Sequence, residues 1–325
     1  MSADVAVTTL FTTLVIADII GNCLVIFVIS RNRDMRSPVN YLLVNLAISD
    51  ITFAAFVAPN HILKKTFTHP DGAIGSGLCM ILTGGNVAWV GAASSSVTLV
   101  AIAVERYYTV MCPLGSRGKL TKRKVKVIIP GCWIFAVALN MPLILVTIFD
   151  EITGDCKWNW PKSWMGAANE TTWLVLLAII PLIVMTGLYS RVVYTLWFKR
   201  NDGQELAFRQ KGVLRVRKRV TLSVITVSAI FGVCWITGLL IYILSYYDIY
   251  MFGPASYAIS DTMFMFNSAI NPFVYSLLNE RFRGKLKGMF CYKCAARVQP
   301  SSEPYSVQLA NNTSRVTNTA GACLD

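Results

Sequence analysis

The residues of this sequence whose types and positions could do chemistry are ionisable side chains set inside long apolar runs. They are Asp18, Asp50, the adjacent pair Glu105–Arg106, and Asp261. A charge at the centre of a hydrocarbon layer costs about 2.5–3.5 kcal/mol or more, so each of these marks a functional position by default. Polar and helix-bending residues accompany them: Asn22, Asn45, Ser95, Asn267, Ser268, Asn271 and Pro272. A proline inside a span removes one backbone hydrogen bond and bends the helix. The sequence has just two histidines, His61 and His69, no His/Cys/Asp ligand cluster and no glycine-rich phosphate loop. Metal-assisted hydrolysis and phosphoryl transfer are therefore disfavoured, and the chain reads as a non-enzyme.

The elements that must position these residues are apolar. Of 325 residues, 54% are hydrophobic and 14% charged, whereas a soluble domain carries about a quarter charged residues. Seven apolar segments lie near residues 5–30, 40–63, 79–112, 126–149, 170–198, 216–247 and 254–278. Each approaches or exceeds the roughly 20 residues that cross ~30 Å of hydrocarbon as a helix. The expected fold is all-α, a seven-transmembrane helix bundle with a short amphipathic eighth helix. Residues 1–6 form a short extracellular arm, 7–290 the bundle with its eighth helix, and 291–325 a disordered cytoplasmic tail. The first segment has no basic region before it and is long enough to span, so it reads as an uncleaved insertion signal.

The basic residues decide orientation. Three fall in the first loop, six in the third, eight in the fifth and seven after the last span, against Lys64, Lys65, Lys157 and Lys162 on the other side. Cytoplasmic loops collect Lys and Arg, which puts the amino terminus outside a plasma membrane that the chain crosses many times. The net charge of +13 is thus spread over membrane-flanking loops, and nucleic acid is excluded as a partner. Of nine cysteines, Cys79 and Cys156 fall on the oxidising side and are candidates for a disulfide. Asn169-Glu-Thr is an external glycosylation sequon close to the fifth span.

In order along the spans stand Gly21-Asn22, Leu46–Asp50 (LAISD), Glu105–Tyr107 (ERY), Trp133, Pro181 with Tyr189, Phe231–Trp235 (FGVCW) and Asn271–Tyr275 (NPFVY). With this set the chain resembles the rhodopsin-like G-protein-coupled receptors over residues 5–290, and its overall pattern looks most like their neuropeptide branch. The resemblance implies an internal sodium pocket at Asp50, Ser95, Asn267, Ser268 and Asn271. Na⁺ there would act allosterically, and no other metal or cofactor is implied; the plainer alternative is a neutral, hydrogen-bonded Asp50. It implies a G-protein switch of Glu105, Arg106 and Tyr107 with Tyr189 and Tyr275, which turn inward in the open form, and Leu114 as an apolar docking residue. Phe231 and Trp235 match the family's toggle. After the seventh span, Phe282, Leu286 and Phe290 are expected to face lipid and Arg281, Arg283, Lys285 and Lys287 the headgroups. Cys291 and Cys294 are palmitoylation candidates, and the Ser/Thr-rich tail offers phosphorylation sites for arrestin.

Three departures from the family pattern stand out. Trp235-Ile-Thr237 lacks the usual sixth-span proline, so the kink is reduced or comes from Thr237 bonding back to its helix. Cys79 and Arg106 are 27 positions apart, about two more than is common, which Gly84-Gly85 can absorb as a bulge or longer entry turn. The first external loop lacks the usual tryptophan. At the base of the sixth span, Arg215–Arg219 holds no acid to clamp Arg106. For the ligand, Met265 stands where opsins carry the retinal lysine, and no aspartate lies in the outer third span where amine receptors have one. A retinal-bearing ion pump is disfavoured on the same ground. What remains is an aromatic mouth with scattered acids, in which Asp261, Trp89, Asn86, Tyr242 and Phe264 are the ligand-binding candidates. That composition suits a short basic or amidated peptide; a lipid or other small molecule, or constitutive activity without a ligand, are the alternatives. The outer tryptophans also fit an interfacial belt.

Overall fold

The computed structural model describes residues 2–59, 69–70, 72–112, 120–198, 208–247, 249, 256–278 and 280–290. The helices are α1 (Ser2–Arg31), α2 (Pro38–Ala58), α3 (Gly72–Met111), α4 (Lys122–Val146), α5 (Ser163–Phe198), α6 (Phe208–Ser245), α7 (Ser256–Leu278) and α8 (Glu280–Phe290). Two strands, β1 (Thr147–Asp150) and β2 (Asp155–Trp158), pair antiparallel between α4 and α5, with Phe149 opposite Cys156. Six of the helices are long and apolar enough to cross a membrane. α7 has 23 residues, about 34 Å of rise, but carries Ser260, Asp261, Asn267, Ser268 and Asn271. The side chains that make it the least apolar span are those the bundle turns inward: all five are buried.

Burial is inverted relative to a soluble protein. Ile134, Leu145, Ile183 and Leu277 are exposed on the outside, while Asp18, Asn45, Asp50 and Asn140 are fully buried. Lipid tails are as apolar as leucine, so bundle association leans on packing and interhelical hydrogen bonds, each worth about 0.6 kcal/mol on average. One such chain links three spans: Trp133 Nε1 donates to Asn45 Oδ1 at 3.0 Å, and Asn45 Nδ2 donates to Thr98 Oγ1 at 2.8 Å. Ser49 and Ser94 hydroxyls meet at 3.0 Å beside it. Helix starts follow capping chemistry: Ser37 accepts from Asn40 N with Pro38 in the first turn, and Thr121 accepts from Lys124 N.

Several ends differ from the expectation. Thr147–Phe149 was expected to finish the fourth span and instead opens β1. A short apolar run does not distinguish strand from helix, and here hairpin pairing wins. α5 begins at Ser163, seven residues before the apolar run. The extra length before Arg106 is absorbed as a π-helical stretch, Cys79–Thr83, followed by a bend at Gly84 and at Gly85, whose φ of 78° is the left-handed conformation glycine adopts without penalty. α6 runs as uninterrupted α-helix through Trp235 and Thr237. No Thr237 back-bond occurs among the described residues. α8 folds against the bundle: Phe282 is buried in the main core rather than facing lipid, and Lys285 Nζ pairs with Asp34 at 3.1 Å rather than standing free for headgroups.

Candidate functional site

Three polar sites lie along the bundle axis. At the end of the bundle where α3 begins, the hairpin is pinned over α3 by the Cys79–Cys156 disulfide, which closes a separation of 77 residues. His69 stacks on Phe149 of β1 at 4.9 Å beside it. His69, Cys79 and Cys156 lie close enough to hold a metal, but both sulfurs are spent in the disulfide. Lys157 Nζ contacts Asp150 Oδ2 at 2.8 Å across the hairpin, and this bond holds the Asp150 carboxyl below the usual carboxylate range.

Beneath the hairpin is an aromatic cleft built around Trp89. Its ring meets Phe264 at 5.2 Å, Trp173 at 5.8 Å, Phe53 at 5.8 Å and Tyr242 at 6.1 Å, the last contact edge to face. Tyr242 OH donates to Asp261 Oδ1 at 2.7 Å. Phe264 continues downward onto Trp235 at 5.3 Å, and Trp235 onto Phe231 at 5.3 Å. The cleft thus rests on the toggle pair through one ring. Gly238 permits that approach: a Cβ there would sit 2.6 Å from the Phe264 ring.

Four of the five ligand-binding candidates, Asp261, Trp89, Tyr242 and Phe264, gather here. The fifth does not. Asn86 Nδ2 donates to Met80 O and Thr147 Oγ1, and its backbone carbonyl accepts from Asn140 Nδ2. It is the joint that holds the π-helical stretch, the hairpin start and α4 together. Glu170, by contrast, was missed and is part of the cleft. It is buried on α5 three positions before Trp173, with Asn169 Nδ2 donating to it at 3.3 Å. An acid directly after the sequon asparagine reads as a loop residue; only the early start of α5 puts it inside. Asn169 itself is half-buried on the same helix.

The middle site centres on Asp50. Ser95 Oγ donates to its Oδ1 at 2.8 Å and Asn271 Nδ2 to its Oδ2 at 2.8 Å, and Ser268 bonds it as well. Asn267 is buried, and the Oδ1 atoms of Asn267 and Asn271 have no hydrogen-bond partner. A carboxylate, two hydroxyls and two orphaned amide oxygens form an all-oxygen donor set, which fits a hard cation such as Na⁺. Asp18, fully buried on α1, stands within electrostatic reach of Asp50 and accepts from Asn22 Nδ2 at 2.8 Å.

The third site is at the carboxyl-terminal end of α3. Arg106 Nε lies 2.8 Å from Glu105 Oε2, an ion pair rather than an aligned hydrogen bond, while Thr109 Oγ1 donates to Glu105 Oε1 at 2.9 Å. Tyr189 and Tyr275 are both buried and within reach of each other, and Tyr189 also of Arg106. Tyr107 packs edge-on against Tyr108 at 5.5 Å. On α6, Lys218 Nζ lies 5.0 Å over the Trp197 ring of α5. Leu114, Cys291, Cys294 and the Ser/Thr-rich tail lie outside the described residues.

A bundle of apolar spans with inward polar sites at three depths defines a multi-pass membrane protein. Residues 21–275 match the family described as 7 transmembrane receptor (rhodopsin family). Among curated proteins, the chain is 28% identical over 306 residues to the Pyroglutamylated RF-amide peptide receptor of Mus musculus, covering 87% of this chain and 70% of that one. It is 30% identical over 305 residues to the Substance-K receptor of Homo sapiens, covering 91% and 74%, and 27% identical over 286 residues to the Allatostatin-A receptor of Bombyx mori, covering 85% and 77%. The chain belongs to the rhodopsin family of seven-transmembrane receptors. It is a G-protein-coupled receptor and not an enzyme.

Proposed function

We propose that this receptor binds a short peptide in the outer aromatic cleft and passes the event to heterotrimeric G proteins on the other side of a plasma membrane. The observation that carries the reading is the joining of Asp261 and Tyr242 to Trp235 through Phe264, a continuous contact from ligand-accessible end to toggle. The names of the relatives, an RF-amide peptide receptor among them, support a peptide. The amino terminus is outside, as the loop charges require. Na⁺ held by Asp50, Ser95, Ser268, Asn267 and Asn271 favours the inactive packing. Opening at the inner end frees Arg106 from Glu105 to meet the G protein, with Tyr189 and Tyr275 supporting it. Leu114 docks on the G protein, and arrestin engages the phosphorylated tail. Palmitoyl groups on Cys291 and Cys294 anchor the end of α8 in the bilayer; Asn169, half-buried on α5 with its amide nitrogen bonded to Glu170, is poorly placed to carry a glycan.

The test is a calcium-readout screen of amidated short peptides, with lipids and small molecules alongside, in cells expressing the chain with a promiscuous G protein. Asp261→Ala and Arg106→Ala run in parallel with surface expression measured. A peptide response lost in both variants supports the reading. Responses confined to lipids or other small molecules overturn the peptide assignment.

A further inference from the structure

A groove lies along the seam between α5 and α6, off the axis of the bundle. Met185, Tyr189 and Val193 recur about one turn apart on α5 and so share the face that lines it. The residues that answer them from α6 are small, Ser228 and Ala229, and about 320 Å³ between the helices stays unfilled. One turn along α6 the seam is shut. Gly232 lets Leu182 pack so closely that a Cβ there would sit 2.8 Å from the Leu182 side chain. Ser190 and Ala229 are exposed at the rim, so the groove opens on the outer face of the bundle, the face that meets lipid.

A second feature points to an occupant. Tyr189 is 5% exposed, lines the groove, and its hydroxyl has no hydrogen-bond partner among the described residues. Ser228 stands beside the phenol but gives its own proton to Met185 Sδ at 3.3 Å. Ser190 Oγ is spent on the Thr186 carbonyl at 2.7 Å. A buried hydroxyl without an acceptor is uncommon and costly. One water would satisfy the phenol and leave the aliphatic remainder of the groove unfilled. No carboxylate and no cationic side chain lines it, so a charged group would enter without a counter-charge. The room available is at the lower end of the range of small-molecule sites.

We propose that this groove binds a neutral, membrane-soluble small molecule whose one hydrogen-bond acceptor, a carbonyl or ether oxygen, takes the Tyr189 hydroxyl. The apolar body of that molecule fills the space between Met185, Val193 and Ala229. An occupant withholds Tyr189 from Arg106 and lowers signalling, a consequence that rests on the signalling reading above. The site itself is tested without that reading. Purified receptor is melted with benzophenone, two rings joined by a carbonyl, and with diphenylmethane, which has the same rings and no oxygen. Benzophenone is expected to raise the melting temperature by about 2 °C more than diphenylmethane does. Tyr189→Phe should remove that difference, and Ala229→Trp, which fills the groove from α6, should remove both shifts. Ultraviolet light then couples bound benzophenone to nearby C–H bonds, and the label is expected on the Met185–Val193 stretch. Where Tyr189→Phe fails to fold, Ala229→Trp and the labelled stretch decide. Equal shifts in the unaltered receptor, a difference that survives either substitution, or label confined to other segments overturns the site. Binding that leaves signalling unmoved sinks the switch role of Tyr189 alone; no binding, in a receptor silenced by Arg106→Ala, sinks the site alone.

Discussion

Two pairs of buried acids divide this receptor into an inner and an outer half. Asp18 and Asp50 lie between α1, α2, α3 and α7; Glu170 on α5 and Asp261 on α7 lie within electrostatic reach of each other. Both pairs meet the same problem of like charges in a low-dielectric interior. The inner pair is answered from within the chain, by amides and hydroxyls from several helices that converge on the carboxylates. The outer pair has few polar neighbours and many rings. Amides and hydroxyls fixed by helix packing surround Asp50 and leave the Oδ1 atoms of Asn267 and Asn271 without a hydrogen-bond partner. Around the outer pair, Tyr242 bonds Asp261 and Asn169 bonds Glu170, and the rest of the lining is aromatic. The difference separates a hydrogen-bonded polar centre from an aromatic cleft.

The comparison breaks most sharply at Asp50. Removing its carboxylate leaves Ser95, Ser268 and Asn271 without the acceptor they share, and leaves Asp18 with altered company. Asp50→Ala is expected to cost about 1–3 kcal/mol, read as a fall in melting temperature of the purified receptor. Glu170→Ala, also buried but bonded by one neutral partner, is expected to cost less. Equal losses would mean that the two halves do not differ in kind.

Of comparable size is the tether of the outer half. Cys156→Ser frees the hairpin from α3 and removes a link that closes a long loop, worth about 2–4 kcal/mol. Ligand response should fall with it. The shift in melting temperature on replacing K⁺ with Na⁺, a readout of the inner half, should persist. Loss of both would show that the inner pocket depends on the outer cover.

How much of this was legible in the sequence follows the same division. Asp50, Ser95, Ser268 and Asn271 stand out because polar groups in apolar runs are costly, and the structure brings them together. Cys79 and Cys156 stand out through compartment chemistry. The outer half was read less well, because it is made where spans end, and hydropathy marks ends poorly. Thr147–Phe149 is apolar enough for a helix yet pairs as a strand; Ser163–Asn169 is too polar to look like a span yet is helical. Glu170 sits on that boundary and was passed over. Asn86 looked like a pocket residue because the offset in α3 was known only by count. The π-helical stretch that takes up the offset also turns Asn86 into the joint.

A smaller effect connects the halves. Gly238→Ala places a Cβ 2.6 Å from the Phe264 ring, through which the cleft rests on Trp235. The ring must give way, at about 1–3 kcal/mol for an overpacked core. Ligand potency should drop while surface expression holds. Basal signalling is a separate matter: with no acid in Arg215–Arg219, Arg106 is held by Glu105, and measurable ligand-independent activity is expected at high surface expression. A silent basal signal would show that another contact keeps the inner end shut.

The smallest effect is expected at the most visible ion pair. Lys157 and Asp150 touch at 2.8 Å, yet the Lys157 side chain is half exposed and the hairpin is already held by its strand bonds and disulfide. Exposed pairs are screened and give little net stability. The sign follows from the depressed Asp150 carboxyl. Whatever stability the pair supplies is present above the ordinary carboxylate range, near pH 4, and is lost as pH falls through the lower folded value. Lys157→Ala should therefore leave the melting temperature at pH 7 unchanged within error, and should flatten only the acid edge of its pH profile. A clear loss at pH 7 would mean that the hairpin charge, and not only the tether, holds the cover over the cleft.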